Sequence, residues 1–173
     1  MKNLLFIVSV LLFVSCNTNK TEVAPAEERA IGFTTFLPEL KWHLGTEGPI
    51  QMVKDLDKVW AERDYDAMRP FFADTAKFYF EGGKFANSLD EFLNILKEGN
   101  ADTEATWTFD YAYSVDLDAS TGGEHVQAGF SGTTVKDSIT TKKKYHESYY
   151  IIQGKIVTWN QYARVDNEEE SVD

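Results

Sequence analysis

Thr106-Trp107-Thr108-Phe109-Asp110-Tyr111-Ala112-Tyr113-Ser114-Val115-Asp116-Leu117 alternates large apolar residues with small or polar ones. Successive side chains on a strand point to opposite faces of a sheet. Trp107, Phe109, Tyr111, Tyr113, Val115 and Leu117 would therefore share one face, and the smaller set the other. A helix would scatter both sets around its axis, so the period predicts one long strand with a strongly aromatic face. Ser120-Thr121-Gly122-Gly123 then turns the chain. Glu124 to Lys136 returns as a second strand, with Gly129 and Gly132 as bulge or bend positions. Tyr145 to Ile152 and Ile156 to Val165 read as a closing hairpin around Gln153-Gly154-Lys155. Lys142-Lys143-Lys144 just before it reads as a solvated strand start or edge guard.

Upstream of this run the period is helical. Ile50, Val53, Leu56, Val59 and Trp60 recur at three- and four-residue steps within Pro49 to Arg63, with charges on the other face. Asp64 or Asp66 can cap a short second helix through Phe72, which leads into a strand Lys77-Phe78-Tyr79-Phe80-Glu81 stopped by Gly82-Gly83. Ser88-Leu89-Asp90-Glu91 is a capping box, Ser88 at the N-cap and Glu91 at the third helical position, opening a helix to Gly99. Helix, short helix, strand, helix and four long antiparallel strands make an α+β pattern, with helices packed on one face of a curved sheet. A sheet bent by glycines around a long helix tends to enclose a cavity.

The amino terminus has a different character. Lys2, the apolar run Leu4 to Val14, small Ser15 and then Cys16 have the layout of an export signal. Eleven apolar residues of helix rise only about 16 Å, half of a bilayer's hydrocarbon core, so a spanning helix is the poorer reading. Leu12-Phe13-Val14-Ser15-Cys16 resembles the lipobox of bacterial lipoproteins, in which the cysteine is lipidated and becomes the first mature residue. Acyl chains add about 0.8 kcal/mol of membrane affinity per buried methylene. The expected organisation is an export signal over 1–15 and a flexible polar tether over 16–30. An apolar extension over 31–46 then packs on a domain over 47–166, and an acidic tail follows over 167–173. The expected location is the cell envelope, anchored to a membrane through Cys16, the outer membrane in a Gram-negative cell.

The 173 residues carry 17 Lys and Arg against 28 Asp and Glu, a net charge of −11, which repels phosphate backbones and argues against a nucleic-acid partner. Cys16 is the one cysteine, so no disulfide within the chain supports the fold. The core must hold by packing, and twelve Phe, eight Tyr and four Trp can both fill it and line a cavity. Three scattered histidines with no cysteine pair give no metal ligand set. Asp55, Asp57, Asp64 and Asp66 are explained by solvation and capping. With no phosphate-binding glycine loop and no Gly-x-Ser-x-Gly nucleophile turn, no cofactor is implied.

Trp60-Ala61-Glu62-Arg63-Asp64-Tyr65-Asp66-Ala67-Met68, then Phe71-Phe72-Ala73-Asp74-Thr75-Ala76-Lys77-Phe78, and Gly154-Lys155-Ile156-Val157 leading to Gln161-Tyr162 carry a resemblance. Over about residues 47 to 166 the chain resembles the SnoaL-like branch of the nuclear-transport-factor-2-like superfamily. The resemblance implies a cone of curved antiparallel sheet closed by N-terminal helices, a cystatin-like α+β roll with a pocket at its wide end. The superfamily includes ketosteroid isomerase, polyketide cyclases, scytalone dehydratase, dioxygenase small subunits and non-catalytic binding domains, so fold does not fix function.

In ketosteroid isomerase a strand carboxylate abstracts a proton, and a tyrosine and a neutral acid stabilise the oxyanion. Aligning Asp74-Thr75-Ala76 places Phe80 where that base would stand. Glu81, one residue on, points to the opposite face. The oxyanion acid would fall near His146 to Ser148, where no aspartate stands, so isomerase chemistry of that type is not expected. His125 and His146, with Asp110 as a partner, remain candidates for acid–base work if they point into the cone. His43 reads as structural. By resemblance, Trp159 and Gln161 face the pocket, with Trp60 and Phe78 or Phe80 opposite, while Trp107 and Phe109 either line it or pack under the helices.

Three readings follow. The first is a lipid-anchored domain that holds a small apolar or amphipathic molecule. The second is a cyclase- or dehydratase-like enzyme, free of cofactor, that uses a pocket histidine. The third is a non-catalytic interaction module, homodimeric through the sheet.

Overall fold

The computed structural model describes residues 30–101 and 103–166. The export signal, Cys16, most of the tether and the acidic tail lie outside the described residues. The elements are β1 (His43–Leu44), α1 (Glu47–Ala61), α2 (Tyr65–Met68), β2 (Phe72–Tyr79) and β3 (Phe85–Ala86), then α3 (Leu89–Asn100), β4 (Glu104–Asp116), β5 (Gly123–Lys136), β6 (Ile139–Ile152) and β7 (Lys155–Val165). All seven strands form one sheet in the order β1-β4-β5-β6-β7-β2-β3. β2 runs parallel to β7, so the sheet is mixed and the expectation of a purely antiparallel one is corrected at that pair. Each β-hairpin in the β4-to-β7 series pairs neighbours in sequence, whereas β2 reaches β7 only after α3 has crossed the sheet.

Local sequence chemistry sets the helices. Ser88 Oγ accepts the Glu91 amide at 3.3 Å as the N-cap, and Glu91 reaches back to accept the amide of Asn87, one residue before it, at 2.8 Å, a shifted form of the capping box. Asp64 accepts from the Ala67 amide at the start of α2. Val53 and Leu56 of α1 and Leu89, Phe92 and Leu93 of α3 are buried against the sheet. They meet Phe78, Val126, Ala128, Tyr149, Ile151, Ile156 and Trp159 in a single core.

The long β4 strand departs from its expected regularity. Phe109 pairs with Phe130, but Tyr111 pairs with Gly129, so Asp110 is an extra residue with no partner of its own. Such a bulge exchanges the two faces of a strand beyond it. Trp107 and Phe109 stay on the helix side, whereas Tyr111 and Tyr113 turn to the outer face and are about half exposed. The continuous aromatic face is thus split in two. Gly129 makes the exchange possible, since a Cβ there would stand 2.1 Å from the Tyr111 ring.

The strand β6 begins at Ile139 rather than Tyr145, because Asp137 and Ser138 form a two-residue turn with φ of 50° and 63°. The lysine triplet therefore lies inside a paired strand.

The 31–46 segment follows the outer edge of the sheet. Ile31 bridges Trp42, His43 pairs with Asp116, and the Trp42 ring stands edge-on to His125 at 5.2 Å. Phe33 and Phe36 of this segment are exposed. The start of α1 is fixed across the sheet. Glu124 of β5 accepts the Thr46 amide at 2.6 Å and the Ser114 hydroxyl at 2.6 Å. Burial opposes ionisation of Glu124, but those hydrogen bonds outweigh it and hold the carboxyl below its usual value. A Cβ at Gly45 would lie 2.2 Å from Ser114 Oγ and 2.3 Å from Glu124 Oε2. Gly45→Ala is expected to cost about 2 kcal/mol in urea unfolding, from overpacking and the loss of the partly buried Glu124 hydrogen bonds. A cost below about 0.5 kcal/mol would show that the junction is loose.

Candidate functional site

Between the concave face of the sheet and helices α1 and α3 lies a cavity of about 630 Å³. Trp60, Phe80, Ile95, Leu96, Trp107 and Phe130 supply apolar wall, and Asp57, Tyr145, Glu147, Tyr149 and Gln161 supply polar groups. Lys143 and Glu81 stand at its wall and pair at 2.5 Å.

The polar floor is a product of strand register. Glu147 of β6 stands opposite Gln161 of β7, and Tyr149 stands opposite Trp159, on the same face two residues along. Glu147 can thus be reached from three sides. Trp159 Nε1 donates to Glu147 Oε2 at 3.0 Å, Gln161 Nε2 donates to Oε1 at 2.9 Å, and the Tyr149 hydroxyl donates to Oε2. Glu147 is only 7% exposed. Burial pushes its carboxyl above the usual range, the three donors oppose that only in part, and the charge of Asp57 adds to the rise. Burial also pushes the Tyr149 hydroxyl well up, so it stays protonated as a donor. Across the cavity, Asp57 of α1 accepts from Trp107 Nε1 at 2.7 Å. Burial raises its carboxyl too, against that hydrogen bond. Two carboxyl groups with raised affinity for protons therefore share one cavity of mixed polar and apolar lining.

Among the residues singled out from sequence, Trp60, Phe80, Trp107 and Gln161 line this cavity. Phe78 and Trp159 are fully buried in the packed core, and Trp159 meets the site through its bond to Glu147 and its ring contacts with Trp60 and Phe80. Phe109 packs edge-on to Phe130 at 4.8 Å, under the helices. The histidine expectation is corrected. His125 stacks on Tyr150 at 4.3 Å. His146 lies within hydrogen-bond distance of the Tyr111 hydroxyl and of Gln127 Oε1. Both stand on the outer face, one residue out of phase with the inward Val126 and Glu147. Asp110 also faces outward and accepts from Ser131.

Sequence reading missed Glu147 and Asp57. Between His146 and Ser148 stands no aspartate but a glutamate, Glu147, which shares its strand phase with Tyr145, Tyr149 and Ile151. Asp57 was grouped with neighbouring aspartates that do cap or pair on the surface, as Asp64 and Asp55 do. Its place beside Leu56 and three residues before Trp60 puts it on the border of the apolar stripe. Among the described residues no cluster of His, Cys, Asp and Glu could hold a metal ion.

No family model matches this sequence, and no curated protein does. Solved structures do match the fold. An epoxide hydrolase of the LEH-like type from M. tuberculosis superposes with a TM-score of 0.55 at 12% identity, over 68% of this chain and 81% of that one. A ketosteroid isomerase-like protein from Erwinia carotovora atroseptica gives 0.53 at 12%, over 64% and 89%. One of ketosteroid isomerase-like fold from Catenulispora acidiphila, in complex with trimethylamine, gives 0.54 at 14%, over 64% and 83%. The chain has the α+β cone fold of the nuclear-transport-factor-2-like and ketosteroid isomerase-like proteins.

Proposed function

We propose that this nuclear-transport-factor-2-like domain is the binding part of an envelope lipoprotein, tethered through a lipidated Cys16, and that it holds a small apolar or amphipathic molecule in its cone. The cavity carries this reading. Its volume of about 630 Å³ falls within the range of ligand sites, and polar groups that converge beside aromatic wall are what such sites use to orient a guest. The lipobox-like run ending at Cys16 and the polar stretch after it support the anchor. That a protein of the same fold holds trimethylamine supports a small guest.

The two carboxyl groups favour a second reading, proton transfer on a bound substrate, because groups with raised pKa in a cleft are suited to general acid–base work. It replaces the histidine mechanism, since His125 and His146 face away. The outer face, with Tyr111, Tyr113 and Tyr162 exposed, is the surface proposed for a homodimer.

Native mass spectrometry of the full chain, purified in detergent from a bacterial host, tests these assignments together. The expected spectrum shows acyl mass on Cys16, a co-purifying small molecule and a dimer. An unacylated cysteine would remove the anchor. An empty cavity that also ignores added apolar probes would remove the binding role.

A further inference from the structure

We propose that the guest of this cavity is a small organic cation, an alkyl- or quaternary-ammonium compound, whose charged head sits between Glu147, Asp57 and the rings of Trp60, Trp107 and Tyr145. The inference rests on the binding reading above and names its ligand class. Charge accounting comes first. Three carboxyl groups border the cavity; Glu81 pairs with Lys143, and among the described residues neither Glu147 nor Asp57 is paired with a basic side chain. Of the two lysines on the wall, Lys143 is committed to Glu81 at 2.5 Å and Lys136 is exposed to solvent. A buried carboxylate without a counter-charge is costly.

Hydrogen-bond accounting agrees. A carboxylate offers about four acceptor positions. Glu147 Oε2 takes two donors and Oε1 takes one, so Oε1 keeps an unused position. Asp57 has one side-chain donor, Trp107. A neutral apolar guest would displace water from both groups and return nothing. An anionic guest would add repulsion. A cation supplies the missing charge, and the electron-rich faces of Trp and Tyr stabilise it further, by about 2 kcal/mol when water is excluded.

A proton link follows. The groups facing Glu147 and Asp57 are Tyr149 and Tyr145 on β6, Gln161 and Trp159 on β7, Trp107 on β4, and the Lys143–Glu81 pair at the wall. Lys136, the other charged group of the lining, is exposed to solvent, so no buried positive charge stands beside the two carboxyls. A bound cation therefore favours the ionised carboxylates and drives protons out. Affinity should then rise with pH across the carboxyl range. A quaternary ammonium has no proton of its own to lose, so with such a probe the pH dependence belongs to the protein.

Calorimetry on the full detergent-solubilised chain would compare choline, its neutral carbon isostere 3,3-dimethylbutan-1-ol, and the anion 3,3-dimethylbutyrate. Choline is expected to bind at least about tenfold more tightly than the neutral isostere, and to tighten between about pH 5 and about pH 8. Glu147→Gln should lower choline affinity about tenfold and leave the isostere unchanged. Asp57→Asn, on the rim of α1, should act in the same direction and carries the test if the first variant folds poorly. If the isostere or the anion binds as well as choline, the cation assignment is overturned while the cavity reading stands. If none of the three binds, both fall.

Discussion

Phe92→Ala should lower the free energy of unfolding by about 4 kcal/mol in urea titrations followed by tryptophan fluorescence. The figure is the usual cost of removing a fully buried phenylalanine, made of lost transfer energy and a residual cavity. Phe92 has no exposed surface. Its ring stacks on Phe78 at 4.0 Å and meets Phe72, Trp60, Phe80 and Trp159 within 5.4 to 5.6 Å. It therefore joins α3 to α1, β2 and β7 in one contact set. The surrounding rings are flat and stiff, and collapse into the vacated space would need several of them to leave their rotamers at once. Leu44→Ala, 85% exposed on the edge strand β1, should change stability by less than about 0.5 kcal/mol and serves as the control. Trp60 and Phe80 also line the cavity, so the variant should alter the site even where the protein remains folded. A loss below about 1 kcal/mol would mean that the cluster relaxes freely and does not set the shape of the cavity.

Where sequence and structure agree, the determinants are local. The capping box at Ser88 and the three- and four-residue period of α1 need only a few neighbours in the chain, and both elements stand where those patterns place them. The failures are non-local. The bulge at Asp110 is caused by what lies across the sheet, Gly129 opposite Tyr111 and Phe130 opposite Phe109, and no property of β4 alone announces it. Strand period sorts β6 into Tyr145, Glu147, Tyr149 and Ile151 on one face and His146, Ser148 and Tyr150 on the other. It does not say which set faces the helices. That choice comes from the packing of Tyr149 and Ile151 against α1 and its partners, and it sends His146 outward and Glu147 inward. Glu147 was legible as an oddity, one acid among large apolar residues. Its partners Trp159 and Gln161 were singled out separately, and only the β6–β7 register shows that all three serve one carboxyl group.

That carboxyl group leads to the second large effect. Glu147→Gln is expected to stabilise the unliganded protein by about 2 kcal/mol at neutral pH, the order of cost for burying an unpaired charge that keeps its hydrogen bonds. Glutamine preserves the shape. Its carbonyl can accept from Tyr149 and Trp159, and Gln161 can turn its amide to offer oxygen to the new amine, so no donor is stranded. The sign of the pH dependence follows from the direction of the shift. The folded state raises the proton affinity of Glu147 above its ordinary value of 4.5. Its contribution to stability is therefore greatest below that value, and is lost as pH rises through the folded-state value. Asp57 shifts the same way for the same reason. Glu124, held below its usual value by Ser114 and Thr46, acts in the opposite sense and loses its contribution as pH falls. The difference between wild type and Glu147→Gln isolates the first group, because Glu124 is common to both. The gap in unfolding free energy should be small near pH 4 and widen toward pH 8. A gap independent of pH would show that Glu147 is ionised alike in folded and unfolded chains. The carboxylate would then already be compensated within the protein, and a bound cation would have no charge left to satisfy.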